Sequence, residues 1–192
     1  EPASQSAPRA SVKMSARAGL SAAALAPAAT AVWAVARLID GSPATATRWV
    51  WVDGLDLALQ FKPDAMALLM TVLVSGIGTL VFVYGTGYFT ADAAGGVRFP
   101  VSLLAFSVSM LGLVLADSVW TLFIFWELTS VTSFLLVGHK NTDEAVRTAA
   151  RRALMITGGG GLALLAGLLV LADAAGTSSL SELTPVDGTP AI

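Results

Sequence analysis

The 192-residue chain has no cysteine, a single histidine and few charges: 12% of its residues are Asp, Glu, Lys or Arg. A soluble domain usually carries about a quarter charged residues, so this chain holds about half the ordinary share. The absence of cysteine excludes disulfides, thiolate metal sites, iron–sulfur ligation and cysteine nucleophiles together. One histidine, His139, cannot build a multi-histidine metal site. The net charge of −2 leaves no basic surface for phosphates, which excludes nucleic acid as a partner. What the chain does have is apolar residues, 55% of the total, with a mean hydropathy of +0.75. That balance describes a membrane protein. Because the first residue is Glu1 rather than Met, and the last residues follow soon after a hydrophobic stretch, the chain is expected to be a piece of a longer one.

A helix needs about 20 mostly apolar residues to cross the hydrocarbon core of a bilayer. Five stretches qualify, at about residues 18–38, 63–89, 100–116, 119–138 and 153–172. The first is Ala-rich with Pro27 inside. With Arg9, Lys13 and Arg17 ahead of it, this stretch also looks like a secretory signal, whereas Trp33 and Arg37 favour an ordinary span. Pro63 and Pro100 suit first helical positions, where a missing N–H costs nothing, and Asp64 suits the first turn of a helix dipole. The predicted fold is therefore an all-α polytopic membrane protein with about five transmembrane helices.

Lys and Arg positions give the orientation. With the N-terminus inside, the cytoplasmic segments hold Arg9, Lys13, Arg17, Arg98, Lys140, Arg147, Arg151 and Arg152, while Arg37, Arg48 and Lys62 lie outside. The bias makes residues 1–17 a cytoplasmic N-terminal segment and residues 173–192 an extracytoplasmic tail leading to further helices, in a plasma membrane.

Between the first two spans, Trp49-Val50-Trp51-Val52 and Leu57–Phe61 alternate in polarity around Asp53-Gly54. Period two about an Asp-Gly turn predicts a small extracytoplasmic β-hairpin. The polar loop from His139 to Arg152 has Asp143 and Glu144 ahead of Arg147 and Arg151 at helical spacing, which predicts a short helix on the membrane surface.

The residue out of place is Glu127. It lies about eight residues into the fourth span, roughly 12 Å along the axis and near mid-bilayer. An acidic group there costs about 2.5–3.5 kcal/mol on insertion scales. Nothing in its own span offers a cation. At 100° per residue Ser130 and Ser133 fall within about 120° of it, so the three share one face, which must meet protein or water rather than lipid. Burial favours the protonated carboxyl unless another helix supplies a cation; either arrangement suits uptake and release of a proton. The plainer alternative is a structural glutamate bonded to a neighbouring helix. His139, at the cytoplasmic end of the same span, is a candidate proton relay. Asp117, at the outer turn between the third and fourth spans, is expected to be a solvated carboxylate. The run Gly158-Gly159-Gly160-Gly161 inside the fifth span predicts close packing by another backbone, with a hinge as the alternative.

From Met110 onward the run MLGLVLADSVWTLFIFWELTSVTSFLLVGH, a charged loop, and ARRALMITGGGGLALLAGLLVL resemble the antiporter-like subunit family. That family holds the large, A-type subunits of Mrp-type multisubunit Na+/H+ antiporters and the proton-pumping membrane subunits of NADH–quinone oxidoreductase. FKPDAMALLMTVLVSGIGTLVFVYGTGYF behind the hairpin fits its early region, so the resemblance covers about residues 48–184. The FWELTS…SFLL wording is similar to the large A-type member of the Mrp branch. The resemblance implies that Glu127 is the family's fifth-helix glutamate, paired with a lysine on the seventh helix of a 14-helix core; Ser130 and Ser133, on its face of the helix, are expected to support it directly or through water they hold. It also implies that the five spans are the family's second to sixth, and that the partners are other antiporter subunits, the lysine-bearing remainder of the same subunit, the bilayer, Na+ and H+. The implied activity is Na+ efflux coupled to H+ uptake by a secondary transporter, without a cofactor or resident metal. Two departures stand out: Asp64-Ala65 replaces the family's usual Asp-Gly, and Gly161 stands where some respiratory homologues have an aspartate. The rival readings are a redox-driven pump subunit that carries no redox centre itself, and a scaffold in which Glu127 fixes a helix interface.

Overall fold

The computed structural model describes residues 6–41, 45–52, 57–88, 98–138 and 144–183, with side chains described from Ser21 onward except at Trp51, Val52, Leu57, Gly87 and Tyr88. Five helices carry the fold of these residues: α1 Ser6–Asp40, α2 Ala65–Tyr88, α3 Arg98–Val114, α4 Val119–Val137 and α5 Glu144–Ala175. Between α1 and α2 stand two strands, β1 Thr47–Val52 and β2 Leu57–Phe61, and a short 3-10 turn at Leu180–Glu182 follows α5. Four of the helices contain segments long and apolar enough to cross a membrane: Ser21–Asp40 within α1, Ala65–Thr86 within α2, all of α4, and α5. The fifth, α3, is apolar but has 17 residues, about 25 Å of rise.

Helix ends and apolar stretches do not coincide. α1 begins at Ser6 and passes through Pro27 without ending, while its segment long and apolar enough to cross a membrane is Ser21–Asp40. Pro63 stays outside α2. Asp64 caps that helix instead, its Oδ1 accepting the Ala67 N–H at 2.8 Å, so the carboxylate satisfies one of the orphan donors of the first turn. Pro100 is the third residue of α3, still within the turn that needs no N–H donor. The separate surface helix expected before the fifth span does not exist among the described residues. Glu144–Arg152 form the first turns of α5 itself, a 32-residue helix about 48 Å long. Good helix formers such as Ala145, Ala149, Ala150 and Ala153 run continuously into the apolar stretch, so nothing breaks the backbone between them.

Packing follows small residues. α1 lies along α2, burying Ala24, Pro27 and Ala34 against the α2 face that carries Ala67, Thr71, Ser75 and Phe82. The hydroxyls on that face bond to their own helix: Thr71 Oγ1 donates to the Ala67 carbonyl at 2.8 Å, Ser75 Oγ to Thr71, and Thr79 Oγ1 to the Ser75 carbonyl at 2.8 Å. Satisfied locally, they act as small space-fillers that let two backbones approach. A Cβ at Gly78 would sit 3.5 Å from Ser107 Oγ and 3.7 Å from Pro27 Cβ, so α1, α2 and α3 converge there. Ala24, Phe82 and Leu103 form the apolar centre of the same junction. α3 packs on α4, and α4 on α5.

The hairpin pairs antiparallel, Thr47 opposite Phe61 and Trp49 opposite Leu59, with an irregularity between Val50 and Val52. Its Asp53-Gly54 turn lies outside the described residues. β2 does not end at the hairpin. It continues onto the α3–α4 turn through a Phe61–Ala116 bridge, with the Lys62 N–H donating to Leu115 O at 2.9 Å and the Asp117 N–H to Gln60 O at 2.8 Å. From the other side, the segment after α5 joins the same turn through Ser118–Ser179, with Val119 N–H on Ser178 O at 3.0 Å and Leu180 N–H on Asp117 O at 2.9 Å. Two remote pieces of chain, β2 and the segment after α5, thus close over the α3–α4 turn.

Candidate functional site

α4 starts at a well-made cap. The Ser118 hydroxyl accepts the Thr121 N–H at 3.1 Å, and Gly138 ends the helix with its N–H on Phe134 O at 2.9 Å. One side of α4 meets α3 where Gly112 lies flat against the Phe125 ring, leaving no room for a Cβ. Phe125 in turn meets Phe61 of the hairpin edge-on, ring centres 5.7 Å apart. These contacts fix the rotation of α4 about its axis, and with it the direction of Glu127.

Glu127 points at α5. The side chain is half-buried, and its Oε1 has essentially no accessible surface and no hydrogen-bond partner among the described residues. The backbone it meets is that of Gly161: an added Cβ there would overlap Oε1 and come within 3.1 Å of the Glu127 Cδ. Buried polar oxygens without a partner are rare because their desolvation is not offset, at a cost of about 1–3 kcal/mol. Such an oxygen is satisfied by a proton-bearing or cationic group arriving from elsewhere, or by a proton on the carboxyl itself.

The serines lie beside this point rather than on it. Ser130 is buried and its hydroxyl donates to Trp126 O at 3.3 Å. Ser130, Ser133 and Thr129 from α4 and Thr157 and Gly160 from α5 line a cleft of about 490 Å³, with Phe106, Met110 and Leu113 of α3 as its apolar wall. Glu127 is not part of that lining, and its Oε1 makes no hydrogen bond to Ser130 or Ser133. The shared face read from helical angles is thus split: the carboxyl goes to Gly161 and the hydroxyls to the cleft. His139 lies outside the described residues. Among those described, no three His, Asp or Glu side chains gather as a metal site.

Of the four successive glycines, close packing occurs at Gly161 alone among the described contacts. Cβ atoms at Gly158, Gly159 and Gly160 would meet nothing within 4 Å. Sequence reasoning recognised the glycine run but not the pairing with Glu127, because a run of four covers more than a full helical turn and faces every direction.

Asp117 overturns its expectation. It is 5% exposed rather than solvated. Its Oδ1 accepts the Ser181 N–H at 2.9 Å, and its Oδ2 accepts the Ser181 hydroxyl at 2.9 Å and the Gln60 amide at 3.2 Å. A short polar turn between two spans ordinarily meets water. Here the hairpin and the segment after α5 take the water's place, which no local pattern announced.

Four helices with membrane-spanning segments, an apolar fifth and a capping hairpin define a polytopic membrane protein, with a half-buried carboxyl in mid-helix whose Oε1 has no partner among the described residues. Residues 49–100 match the family model described as NADH-Ubiquinone oxidoreductase (complex I), chain 5 N-terminus, and residues 116–189 match NADH:quinone oxidoreductase/Mrp antiporter, TM. Similar curated proteins include "Putative antiporter subunit mnhA2" of Staphylococcus haemolyticus, 38% identical over 133 residues, which are 69% of this chain and 17% of that protein. The protein of the same name from Staphylococcus epidermidis is 33% identical over 161 residues, 83% of this chain and 20% of its own length. Among solved structures, a chain in the Mrp complex from Dietzia sp. DQ12-45-1b superposes with a TM-score of 0.75 at 31% identity, covering 91% of this chain and 19% of that one. The chain belongs to the NADH:quinone oxidoreductase/Mrp antiporter membrane-subunit family, on the side of the large A-type Mrp subunits. It spans about a fifth of the length of the relatives it matches.

Proposed function

We propose that this chain is the early part of a monovalent cation/proton antiporter subunit, exchanging Na+ outward for H+ inward, with Glu127 as the carboxyl that takes up and releases the proton. The observation that carries the reading is the buried, unpartnered Oε1 of Glu127 at the α4–α5 contact. A group there gains a great deal from a proton or a cation and holds either reversibly, which a fully bonded structural glutamate would not. The relatives at 33–38% identity bear an antiporter-subunit name, and the neighbouring solved structure is an Mrp complex. Both favour exchange over a place in the NADH:quinone oxidoreductase that the family models' descriptions also name.

In this reading the remainder of the subunit supplies a lysine-bearing helix facing Glu127, and other subunits complete the assembly. Ser130 and Ser133 serve through water held in their cleft, and His139 relays protons on the cytoplasmic side. The spans lie at about 18–38, 63–89, 100–116, 119–138 and 153–172 in a plasma membrane. Residues 1–17 are cytoplasmic and residues 173–192 extracytoplasmic. The chain is a transporter part and not an enzyme.

The test is Na+-dependent proton flux in everted vesicles from a host lacking its own sodium antiporters, comparing the full parent complex with its Glu127→Gln variant. Loss of flux with assembly intact is expected. Unchanged flux makes Glu127 structural and favours the scaffold reading.

A further inference from the structure

We propose that Gly161 is the positioning residue for the Glu127 carboxyl: the missing Cβ on α5 is what lets that carboxyl occupy its place. This rests on the proposed role of Glu127. Three features of the contact support it. Gly161 is buried, and a Cβ built on it would overlap Glu127 Oε1, with Glu127 Cδ at 3.1 Å and Trp126 Cδ1 at 3.4 Å. The adjoining Gly158, Gly159 and Gly160 face nothing within 4 Å, so the demand for glycine against α4 is confined to one position of the run. And the conflict falls on the far end of a flexible side chain rather than on backbone. The glutamate can yield by turning its carboxyl aside, while the α4–α5 contact itself needs no change.

That last point separates function from fold. An alanine at this position leaves the helices assembled and displaces the reacting group. A displacement on the order of 1 Å at a reacting centre costs about 100-fold in rate. The carboxyl is then held by the absence of an atom on the facing helix. No hydrogen bond on Glu127 Oε1 does that work, since it makes none among the described residues.

The experiment uses the full parent complex in the everted-vesicle assay, with Gly161→Ala, Gly159→Ala, Glu127→Asp and the double variant Gly161→Ala/Glu127→Asp. Gly161→Ala is expected to assemble and to lose at least about 10-fold of Na+-dependent proton flux, with about 100-fold the full effect. Gly159→Ala stays at the parent rate. Glu127→Asp itself withdraws the carboxyl from α5 by one methylene and lowers flux, but it frees the space a Cβ needs, so Gly161→Ala costs far less flux in the Glu127→Asp background than in the parent. A purely structural role for Gly161 would not be relieved by shortening a side chain on the opposite helix.

Parental flux in Gly161→Ala, equal damage from Gly159→Ala, or the same fold-loss from Gly161→Ala in the Glu127→Asp background as in the parent each overturn the proposal. Glu127→Gln, measured in parallel, keeps the two claims apart. Flux retained in that variant defeats the proton role, whereas flux lost there but kept in Gly161→Ala defeats only the positioning.

Discussion

Replacing Asp117 by alanine should loosen one end of the helical bundle without touching its middle. The carboxylate accepts three hydrogen bonds, from the Ser181 N–H and hydroxyl at 2.9 Å each and from the Gln60 amide at 3.2 Å. Bonds to a charged acceptor contribute about 1.5–3 kcal/mol each when desolvated. Ser181 is exposed and recovers water as a partner, while Gln60 is half-buried and recovers less. Discounted for that, the loss comes to about 3 kcal/mol of local stability. The assay is hydrogen exchange of the assembled complex, read at the amides that tie the three pieces together: Lys62, Val119, Leu180 and Ser181. A loss of about 3 kcal/mol lowers their protection by about 100-fold, since about 1.4 kcal/mol is a factor of ten. Asp117→Asn, which keeps one acceptor oxygen, falls between the two. Unchanged protection at Leu180 and Ser181 in Asp117→Ala would refute the hub, and loss of protection spread evenly into α2 would refute its locality.

Two further outcomes follow from the packing. Gly112→Ala places a methyl inside the Phe125 ring, and overpacking of that kind costs about 1–3 kcal/mol. A lowered thermal midpoint of the complex is expected, partly regained in Gly112→Ala/Phe125→Leu; no shift in the single variant sinks the close α3–α4 approach. Thr71→Val should leave that midpoint within the equivalent of about 1 kcal/mol, because among the described residues the Thr71 hydroxyl donates to the Ala67 carbonyl of its own helix and to no other helix. A larger loss would mean that the hydroxyl serves a partner across the α1–α2 contact.

Composition and local pattern were enough for the membrane class, the helices, the hairpin and the singular glutamate. Hydropathy over about 20 residues is a one-dimensional quantity, and so is the alternation around Asp53-Gly54; both act through bilayer thickness and strand pleat, which need no knowledge of neighbours. The buried acid was legible for the same reason, since hydrocarbon penalises a carboxyl whatever lies beside it. Element ends were less legible. Pro63, Pro100 and the polar turn before Arg152 looked like boundaries, yet helical backbone runs past Pro100 and Arg152 because first-turn prolines and alanine-rich polar segments are both compatible with helix.

What only the tertiary structure decided is which residues face each other. The rotation of α4 is set by Gly112 against Phe125 and by Phe61 of the hairpin, and that rotation sends Glu127 to Gly161 and the serines to a separate cleft. Asp117 becomes buried because Gln60 and Ser181, some sixty residues away in either direction, close over it. Helical period fixes the angles between side chains on one helix; the angle of that helix to the next is fixed by contacts distant in sequence, which the order of residues along the chain does not display.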